Sequence, residues 1–214
     1  MHIPDGYLDL TTVFITYTIF TIYMMYALYK LKNISYTEKT SLLAVVSAGI
    51  FAAQMLNWPI VGGTSLHFVG GALAGILLGP WLGTLSMFLV LFVQCIVFHD
   101  GGITTLGANM INMGIIDVLI GIIFYRIGEK FSGSRDFGCI IGAFLGGWLG
   151  IALAGIACGL EIGFSSQFAY GWVLATSVMG MWHLALGVIE GIITALVVAY
   201  LVKRAPELMY WGAD

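Results

Sequence analysis

Long apolar runs, separated by short polar segments, dominate the pattern of this chain. A helix needs about 20 mostly apolar residues to cross the hydrocarbon core of a bilayer. The runs predict seven membrane helices, over residues 10–29, 41–57, 68–79, 82–98, 107–125, 138–158 and 183–202. The third run is short and ends at Pro80, which cannot continue a helix in the usual way. We therefore expect an all-α membrane protein whose residues 1–214 form a single integral-membrane domain.

Three connecting segments are too polar or too broken to lie against lipid. Segment 57–67 contains one proline and two glycines and ends in a histidine. A second segment starts at His99 and reads HDGGITTLGANMINMG. Residues 160–180 include Glu161 and Gln167 and predict an outer loop with a partial helix. Non-helical backbone is tolerated at membrane depth only where protein or a water-filled cavity covers it.

The basic residues set the expected orientation in the membrane. All eight fall in three clusters: Lys30, Lys32 and Lys39; Arg126, Lys130 and Arg135; and Lys203 with Arg204. Cytoplasmic loops collect Lys and Arg, so we place all three clusters inside. The chain is predicted to cross the membrane once before the first cluster, four times between the first and second, and twice between the second and third. This predicts an outer N-terminus and an inner C-terminus.

Composition excludes several classes of protein. Hydrophobic residues make up 60% of the chain, charged residues 9%, and the mean hydropathy is +0.99. A soluble domain is roughly a quarter charged, so a cytosolic enzyme, a nucleic-acid-binding protein and a disordered chain are excluded. The three cysteines lie in apolar runs and predict neither a disulfide framework nor a CxxC site. The chain has no P-loop motif, so any ATPase that drives it must be another chain.

The first two residues can chelate a metal ion. Met1 is expected to keep its free amine, because His2 is bulky and removal of the first methionine generally needs a small second residue. The amine, the amide nitrogen of His2 and its imidazole Nδ1 then provide three nitrogens in one plane, provided that the amide loses its proton. Planar nitrogen sites suit Ni²⁺ or Cu²⁺ and suit Mg²⁺, Ca²⁺ and Zn²⁺ poorly.

A fourth in-plane donor would complete this square, and His67 in the outer segment is the best candidate. The spacing alone is weak, because a histidine at position 2 is also compatible with no function at all. Both interpretations stay open on the residues alone.

Four motifs carry a resemblance to a known family. The N-terminal MHIPDGYL, the loop PIVGGTSLHFVGGALAG from Pro59, the segment GGITTLGAN from Gly101 and HLALGVIEGIIT from His183 together span the chain. They resemble the CbiM/NikM family, the membrane substrate-binding (S) components of energy-coupling-factor transporters for cobalt and nickel. The sequence does not decide between these two metals.

The resemblance implies a fold, a ligand set and partners. The fold is a seven-helix S component in the cell membrane with an outer N-terminal segment inserted into the helical body. The metal ligands are the Met1 amine, the His2 amide nitrogen and imidazole, and the His67 imidazole. The implied partners are an energy-coupling transmembrane (T) subunit, two cytoplasmic ATPase subunits and a small additional membrane subunit. The metal is the substrate, no cofactor is expected, and the subunit catalyses no reaction itself.

Other polar residues are candidates for supporting roles. A ligating imidazole usually donates its second N–H to an oxygen, which fixes its orientation. Residues on the outer side that could do this, or could brace the site, are Asn57, Thr64, Ser65, His99 and Asn109, with Asp5 as a brace of the N-terminal loop. Asp117 and Glu190 are predicted intramembrane carboxylates, which are costly and are either functional or hydrogen-bonded structural groups.

Alternatives remain at this point. An intramembrane protease could use Ser65 or Ser166 with a membrane histidine, although no GxSxG motif is present. A copper permease is a third possibility, because the chain has ten methionines. Glycines at steps of four, such as Gly142, Gly146 and Gly150, favour close packing of helices, either within the chain or against a partner subunit.

Overall fold

The computed structural model describes residues 1–32, 37–131 and 135–210, and most of them are helical. The helices are α1 (Leu10–Leu31), α2 (Thr37–Gln54), α3 (Gly71–Val93), α4 (Leu106–Asn109), α5 (Asp117–Phe131), α6 (Arg135–Phe164) and α7 (Gly171–Arg204). π-helical turns extend α3 over Gln94–Phe98 and join α4 to α5 over Met110–Ile116.

Within these residues, five continuous helical stretches are long and apolar enough to cross a membrane: Leu10–Leu31, Gly71–Phe98, Leu106–Lys130, Asp136–Phe164 and Gly171–Arg204. Lys39–Gln54 is a shorter apolar helix. The predicted membrane-embedded, all-helical class is therefore confirmed.

Helix α3 reverses direction in its middle. Gly79 has φ 77° and ψ 178°, which is not helical. A Cβ placed on Gly83 would lie 3.1 Å from the carbonyl carbon of Ala74, whereas these residues would be about 13 Å apart in a continuous helix. The arms 71–78 and 80–93 therefore lie side by side, and the break predicted at Pro80 is present. The left-handed φ at Gly79 is a conformation that glycine adopts without steric cost.

The predicted loop over 160–180 is wrong. Helix α6 continues to Phe164 and α7 already begins at Gly171, so only a short turn separates them. Glu161 does not interrupt α6, because the Asn112 amide donates a hydrogen bond of 2.6 Å to its carboxylate, whereas Gln167 lies in the turn. The Glu161 carboxylate thus has a partner inside the bundle and does not need the outer loop that the sequence predicted.

The glycine steps pack helices of this chain against one another. A Cβ on Gly142 of α6 would lie 2.8 Å from the Cα of Tyr125, and one on Gly191 of α7 would lie 2.6 Å from the Phe144 carbonyl oxygen. Gly187 meets the Trp148 carbonyl oxygen at 2.7 Å in the same way. Intramolecular packing, one of the two interpretations of the pattern, is therefore confirmed.

Non-helical segments meet at one end of the bundle. Trp58–Pro59 pairs with Ser65–Leu66 as a short antiparallel hairpin, and the chain then runs without regular structure to Gly70. Residues 1–9 precede α1, whose first turn is capped by Asp9 through a hydrogen bond of 2.9 Å from the Thr12 amide. At the other end, the Lys39 ammonium lies 4.9 Å from the ring centroid of Tyr210, which follows α7.

The close glycine contacts predict a difference between two alanine substitutions. Gly142→Ala should destabilise the bundle by about 1–3 kcal/mol, because its Cβ would overpack against α5. Gly49→Ala on α2, where nothing lies within 4 Å of a Cβ, should be neutral or stabilise by up to about 1 kcal/mol. Thermal unfolding in detergent measures both, and equal melting temperatures would contradict the packing assigned to Gly142.

Candidate metal centre

The first three residues are inserted into the helical body. The exposed fractions of Met1, His2 and Ile3 are 0%, 4% and 0%. The Ile3 amide donates a 2.9 Å hydrogen bond to Asn109 Oδ1, and Asn109 Nδ2 donates one of 3.2 Å to the Ile3 carbonyl. The same carbonyl accepts hydrogen bonds from the Gly102 amide at 2.9 Å and from the Thr105 hydroxyl. Asn109 thus pairs with the N-terminal segment as a neighbouring strand would.

Asp5 braces the next part of this segment. Its carboxylate accepts hydrogen bonds from the Thr104 amide at 2.8 Å, the Thr104 hydroxyl at 2.5 Å and the Ile103 amide at 3.3 Å. Burial alone would raise the pKa of Asp5, but these hydrogen bonds lower it below its usual value, so the carboxylate is ionised at neutral pH. The expected bracing role of Asp5 is therefore observed.

The amino group of Met1 faces Ser65. It donates hydrogen bonds to the Ser65 carbonyl oxygen and, at 2.7 Å, to the Ser65 hydroxyl. Burial lowers the pKa of this amine from 8.0 to about 5, so it is neutral at pH 7. A neutral amine has two N–H donors and one lone pair, and Ser65 takes both donors. The lone pair is left for a metal.

The imidazoles of His2 and His67 are stacked, with ring centroids 4.3 Å apart and an angle of 17° between their planes. His67 Nδ1 lies 2.6 Å from the Phe68 carbonyl oxygen, so this nitrogen carries the proton. Burial, followed by the charge of the N-terminal amine, lowers the pKa of both histidines well below 6.5. Nε2 of each ring is buried and has no hydrogen-bond partner among the described residues.

A cavity of roughly 350 Å³ leads to this cluster from the surface. Its lining includes His2, Ser65, Asn57, His99 and Asp100. Asn57 Nδ2 donates to both oxygens of the Asp100 carboxylate, at 3.1 and 3.0 Å, and His2 Nε2 lies 3.7 Å from this carboxylate. Burial raises the pKa of Asp100, while the Asn57 hydrogen bonds and the N-terminal charge act against that rise.

Asp100 is the residue that the sequence analysis missed. The available signal was its position, directly before the GGITTLGAN segment and at the outer end of an apolar run.

The supporting candidates have separate roles. Ser65 and Asn109 hold the N-terminal segment, and Asn57 holds Asp100, as described. The hydrogen bonds of Thr64 are to sulfur: its amide and hydroxyl lie 3.4 and 3.9 Å from the sulfur of Met179. His99 is exposed, has a φ of 55° and lines the cavity.

Asp117 of α5 and Glu190 of α7 lie away from the cavity and bind the start of α3. The two oxygens of Glu190 accept hydrogen bonds from the Val69 and Gly70 amides, at 2.8 and 2.7 Å. Asp117 accepts one of 3.1 Å from the Ala72 amide. The first amides of a helix have no partner within it, and Gly70 has no side chain to cap them. The two carboxylates supply this cap and fix the chain three residues beyond His67.

The chemistry of the cluster needs main-chain donors. Among the described residues, no group of three or more His, Cys, Asp or Glu side chains is arranged to hold a metal. Nitrogen donors do lie close together, however: a neutral amine and the adjacent amide, both hydrogen-bonded to Ser65, and two neutral imidazoles whose rings are stacked. This set suits a metal that prefers nitrogen ligands.

A nucleophile for proteolysis is not assembled in the described structure. The Ser65 hydroxyl faces the amine and the His2 amide, at 2.7 and 3.1 Å, rather than an imidazole. Ser166 is exposed, and its amide donates to Asp9 at 3.0 Å. Neither serine has the base that activation requires.

Comparison with known proteins gives consistent matches over the whole chain. The model of the CbiM family, described as the cobalt uptake substrate-specific transmembrane region, matches residues 2–208. A fused nickel transport protein, NikMN, of Rhodobacter capsulatus is 33% identical over 98% of this chain and 64% of its own length. A protein of Methanococcus voltae that is named as the cobalt transport protein CbiM is 31% identical over 97% of this chain and 94% of its own length. The crystal structure of a truncated transition metal transporter superposes with a TM-score of 0.87 at 34% identity, covering 95% of this chain and 99% of the other.

The hydrogen bonds of Asn109 predict how well the N-terminal amine is protected. Asn109→Ala removes both bonds to Ile3, each worth about 0.5–1.5 kcal/mol, and should raise the acylation rate of the Met1 amine roughly 5- to 150-fold. Mass spectrometry after a short pulse of an amine-reactive ester measures this rate. Thr18→Ala, on the exposed face of α1, is the matched control and should leave it unchanged. A slow reaction in both variants would mean that Asn109 does not hold the segment.

Proposed function

The chain belongs to the CbiM family, and from this premise we propose that it is the S subunit of an energy-coupling-factor transporter that captures Ni²⁺ or Co²⁺ at the outer face. It is a multi-pass membrane protein and a component of nickel or cobalt transport, not an enzyme. The observation that carries the finer proposal is the burial of a neutral N-terminal amine beside two neutral, stacked imidazoles.

The proposed ligands are the Met1 amine, the His2 amide nitrogen, His2 Nδ1 and His67 Nε2. The surroundings of both imidazoles support this set. The His67 proton is on Nδ1, next to the Phe68 carbonyl, which leaves the Nε2 lone pair for the metal. With His2 Nδ1 on the metal, its Nε2–H would point toward the Asp100 carboxylate, 3.7 Å away. Such outer partners hold ligating imidazoles in place and raise their basicity.

The four nitrogens favour a square-planar ion. Deprotonation of the amide cancels one of the two positive charges of the metal, which lowers the cost of burying it. Ni²⁺ fits this geometry well, and Co²⁺ precedes it in the affinity series. Harder ions that prefer oxygen ligands fit this site poorly, because all four proposed donors are nitrogen atoms.

The proposed topology has seven crossings, with the N-terminus outside. The third crossing is unusual: residues 68–70, which have no regular structure, lead from the hairpin into the short helical arm 71–78. Burial within the bundle makes this backbone tolerable at membrane depth. Lys39 and Tyr210 share the opposite end, which collects the basic clusters and is therefore proposed to be cytoplasmic.

Transport requires partners that this chain does not supply. We propose that a T subunit, two cytoplasmic ATPase subunits and a small additional membrane subunit assemble with it. The fused relatives named NikMN support the last of these, since this chain spans only 64–68% of their length. The copper permease gains no support, because Met110 and Met113 are fully buried in the bundle while Met25 is 66% exposed, so these methionines do not form one cluster.

One added residue before Met1 should abolish tight binding of Ni²⁺. The extension replaces the amine by an amide and moves the new amine away from His2. We expect the dissociation constant to rise at least 100-fold, equal to about 2.8 kcal/mol, in calorimetry. The same residue added after Asp214 is the control and should have no effect.

His67→Ala should also change the absorption spectrum of bound Ni²⁺, and an unaltered spectrum would exclude His67 as a ligand.

The number of protons released on binding tests the amide ligand. The amine and both imidazoles are already neutral at pH 7, because burial lowers their pKa values, the amine to about 5. Only the amide must then lose a proton, so about one proton should be released per Ni²⁺. Below pH 5 the amine is protonated, so the number should rise toward two and the affinity should fall.

Calorimetry in buffers that differ in ionisation enthalpy counts these protons. A release of about two at pH 7 would mean that the amine is charged before binding. No release would mean that the amide is not a ligand.

A further inference from the structure

His67 and His183 share an unusual set of properties. Both are fully buried, with exposed fractions of 0%. In each, Nδ1 lies next to a main-chain carbonyl oxygen, at 2.6 Å from Phe68 for His67 and 2.7 Å from Met179 for His183. Nε2 of each ring has no hydrogen-bond partner among the described residues. This is the state of an imidazole prepared to ligate a metal through Nε2. The features that select His67 therefore also select His183.

The two histidines lie at the same depth in the bundle. The segment from Thr64 to Val69 contacts α7 at both of its ends, where Thr64 lies against Met179 and Val69 against Glu190. An extended chain advances about 3.3 Å per residue, so Thr64 to Val69 spans about 16 Å. A helix advances 1.5 Å per residue, so Met179 to Glu190 also spans about 16 Å. The segment and the helix therefore advance by the same distance between the two contacts. His67 lies about 10 Å past the first contact, and His183 lies about 6 Å past it, so the two are within one helical turn of the same level.

Packing holds the His183 ring in place, and two sulfur side chains lie on the same helices, within one turn of His183 and of Gly155. A Cβ on Gly155 of α6 would lie 2.7 Å from Cγ of His183, so the backbone of α6 packs directly against this ring. The Met179 sulfur is one turn away on α7, and Cys158 Sγ donates to the Met1 carbonyl oxygen at 3.6 Å. Thioether and thiol sulfur are soft ligands that also bind late transition metals.

We propose that His183 is a second metal-ligating residue, which accepts Ni²⁺ or Co²⁺ from the N-terminal chelate and holds it together with His67. This inference rests on the proposed function, because His67 is a ligand in both positions of the metal. His67 stays bound during the transfer, and the metal moves from the N-terminal segment to α7. We call the site formed by His67 and His183 the inner position, because both residues are fully buried.

The transfer is an exchange of ligands at a metal that stays divalent. The bonds to the Met1 amine, the His2 amide nitrogen and His2 Nδ1 break, and a bond to His183 Nε2 forms. Water molecules from the cavity beside His2 fill the other coordination positions of the metal, and the amide nitrogen takes back one proton from the solvent, so the metal reaches His183 with its full charge of two. The inner position has neutral ligands only, so it binds the metal more weakly than the chelate and suits release.

His183→Asn separates ligation from structure. The Asn side-chain amide can occupy the place of Nδ1 and keep the bond to the Met179 carbonyl, whereas the atom equivalent to Nε2 is absent. The tight site should be unchanged: calorimetry of the intact chain with a native N-terminus should give the same Ni²⁺ affinity within about twofold. Uptake of Ni²⁺ by the complete transporter should fall at least tenfold.

A second measurement detects the inner position directly. In the chain carrying one residue before Met1, Co²⁺ should still bind weakly through His67 and His183, as equilibrium dialysis and the Co²⁺ absorption spectrum would show. Adding His183→Asn should weaken this residual binding at least tenfold. Thr84→Val, which removes a buried hydrogen bond of 2.8 Å elsewhere in the bundle, is the control and should not alter it.

The outcomes are distinguishable. Unchanged uptake and unchanged residual binding in His183→Asn would overturn the proposal. Loss of the tight site in the same variant would also overturn it, because His183 would then act structurally or within the outer site. Failure of the chelate itself would appear separately, as tight binding that survives the extension before Met1.

Discussion

Removal of the N-terminal amine from water is the constraint on which the rest of this structure depends. A charged amine at this depth would be very costly, and burial converts it to the neutral form. Neutrality provides a lone pair, but it also removes the charge by which an acidic partner could have held the amine. The structure compensates with directed hydrogen bonds. Ser65 takes the amine protons, Asn109 pairs with Ile3, and Asp5 binds the loop that carries Thr104.

The intramembrane carboxylates solve a related problem on the other side of the cluster. The segment that carries His67 has few main-chain partners of its own before α3 begins. Glu190 and Asp117, from α7 and α5, accept the free amides at this junction. The position of the His67 imidazole is thus linked to α5 and α7. A shift of α7 relative to α3 would therefore change the position of the segment that carries His67, because Glu190 binds its last amides.

Much of this organisation could be predicted from the sequence, because membrane helices leave a strong local signal. The apolar runs and Pro80 predicted the helices and the break in α3. The boundaries near Glu161 were wrong, because its partner Asn112 lies on another helix and no local pattern shows that contact. His2 and His67 were predicted from chelate chemistry and the family motifs. Asp100 and the state of His183 were not, because the burial of Nε2 depends on packing between distant segments.

The way in which the first residues are fixed also bears on how long a metal would remain bound. In the proposed site, three of the four donors belong to two consecutive residues, so the loss of one bond leaves the others in place and recapture is fast. Spontaneous escape toward the outside would then be slow. A movement that pulls Ile3 away from Asn109 and Gly102, in contrast, would withdraw all three donors together. Retention and release would therefore be governed by the same few hydrogen bonds, and residence time could be altered without any change to a ligand.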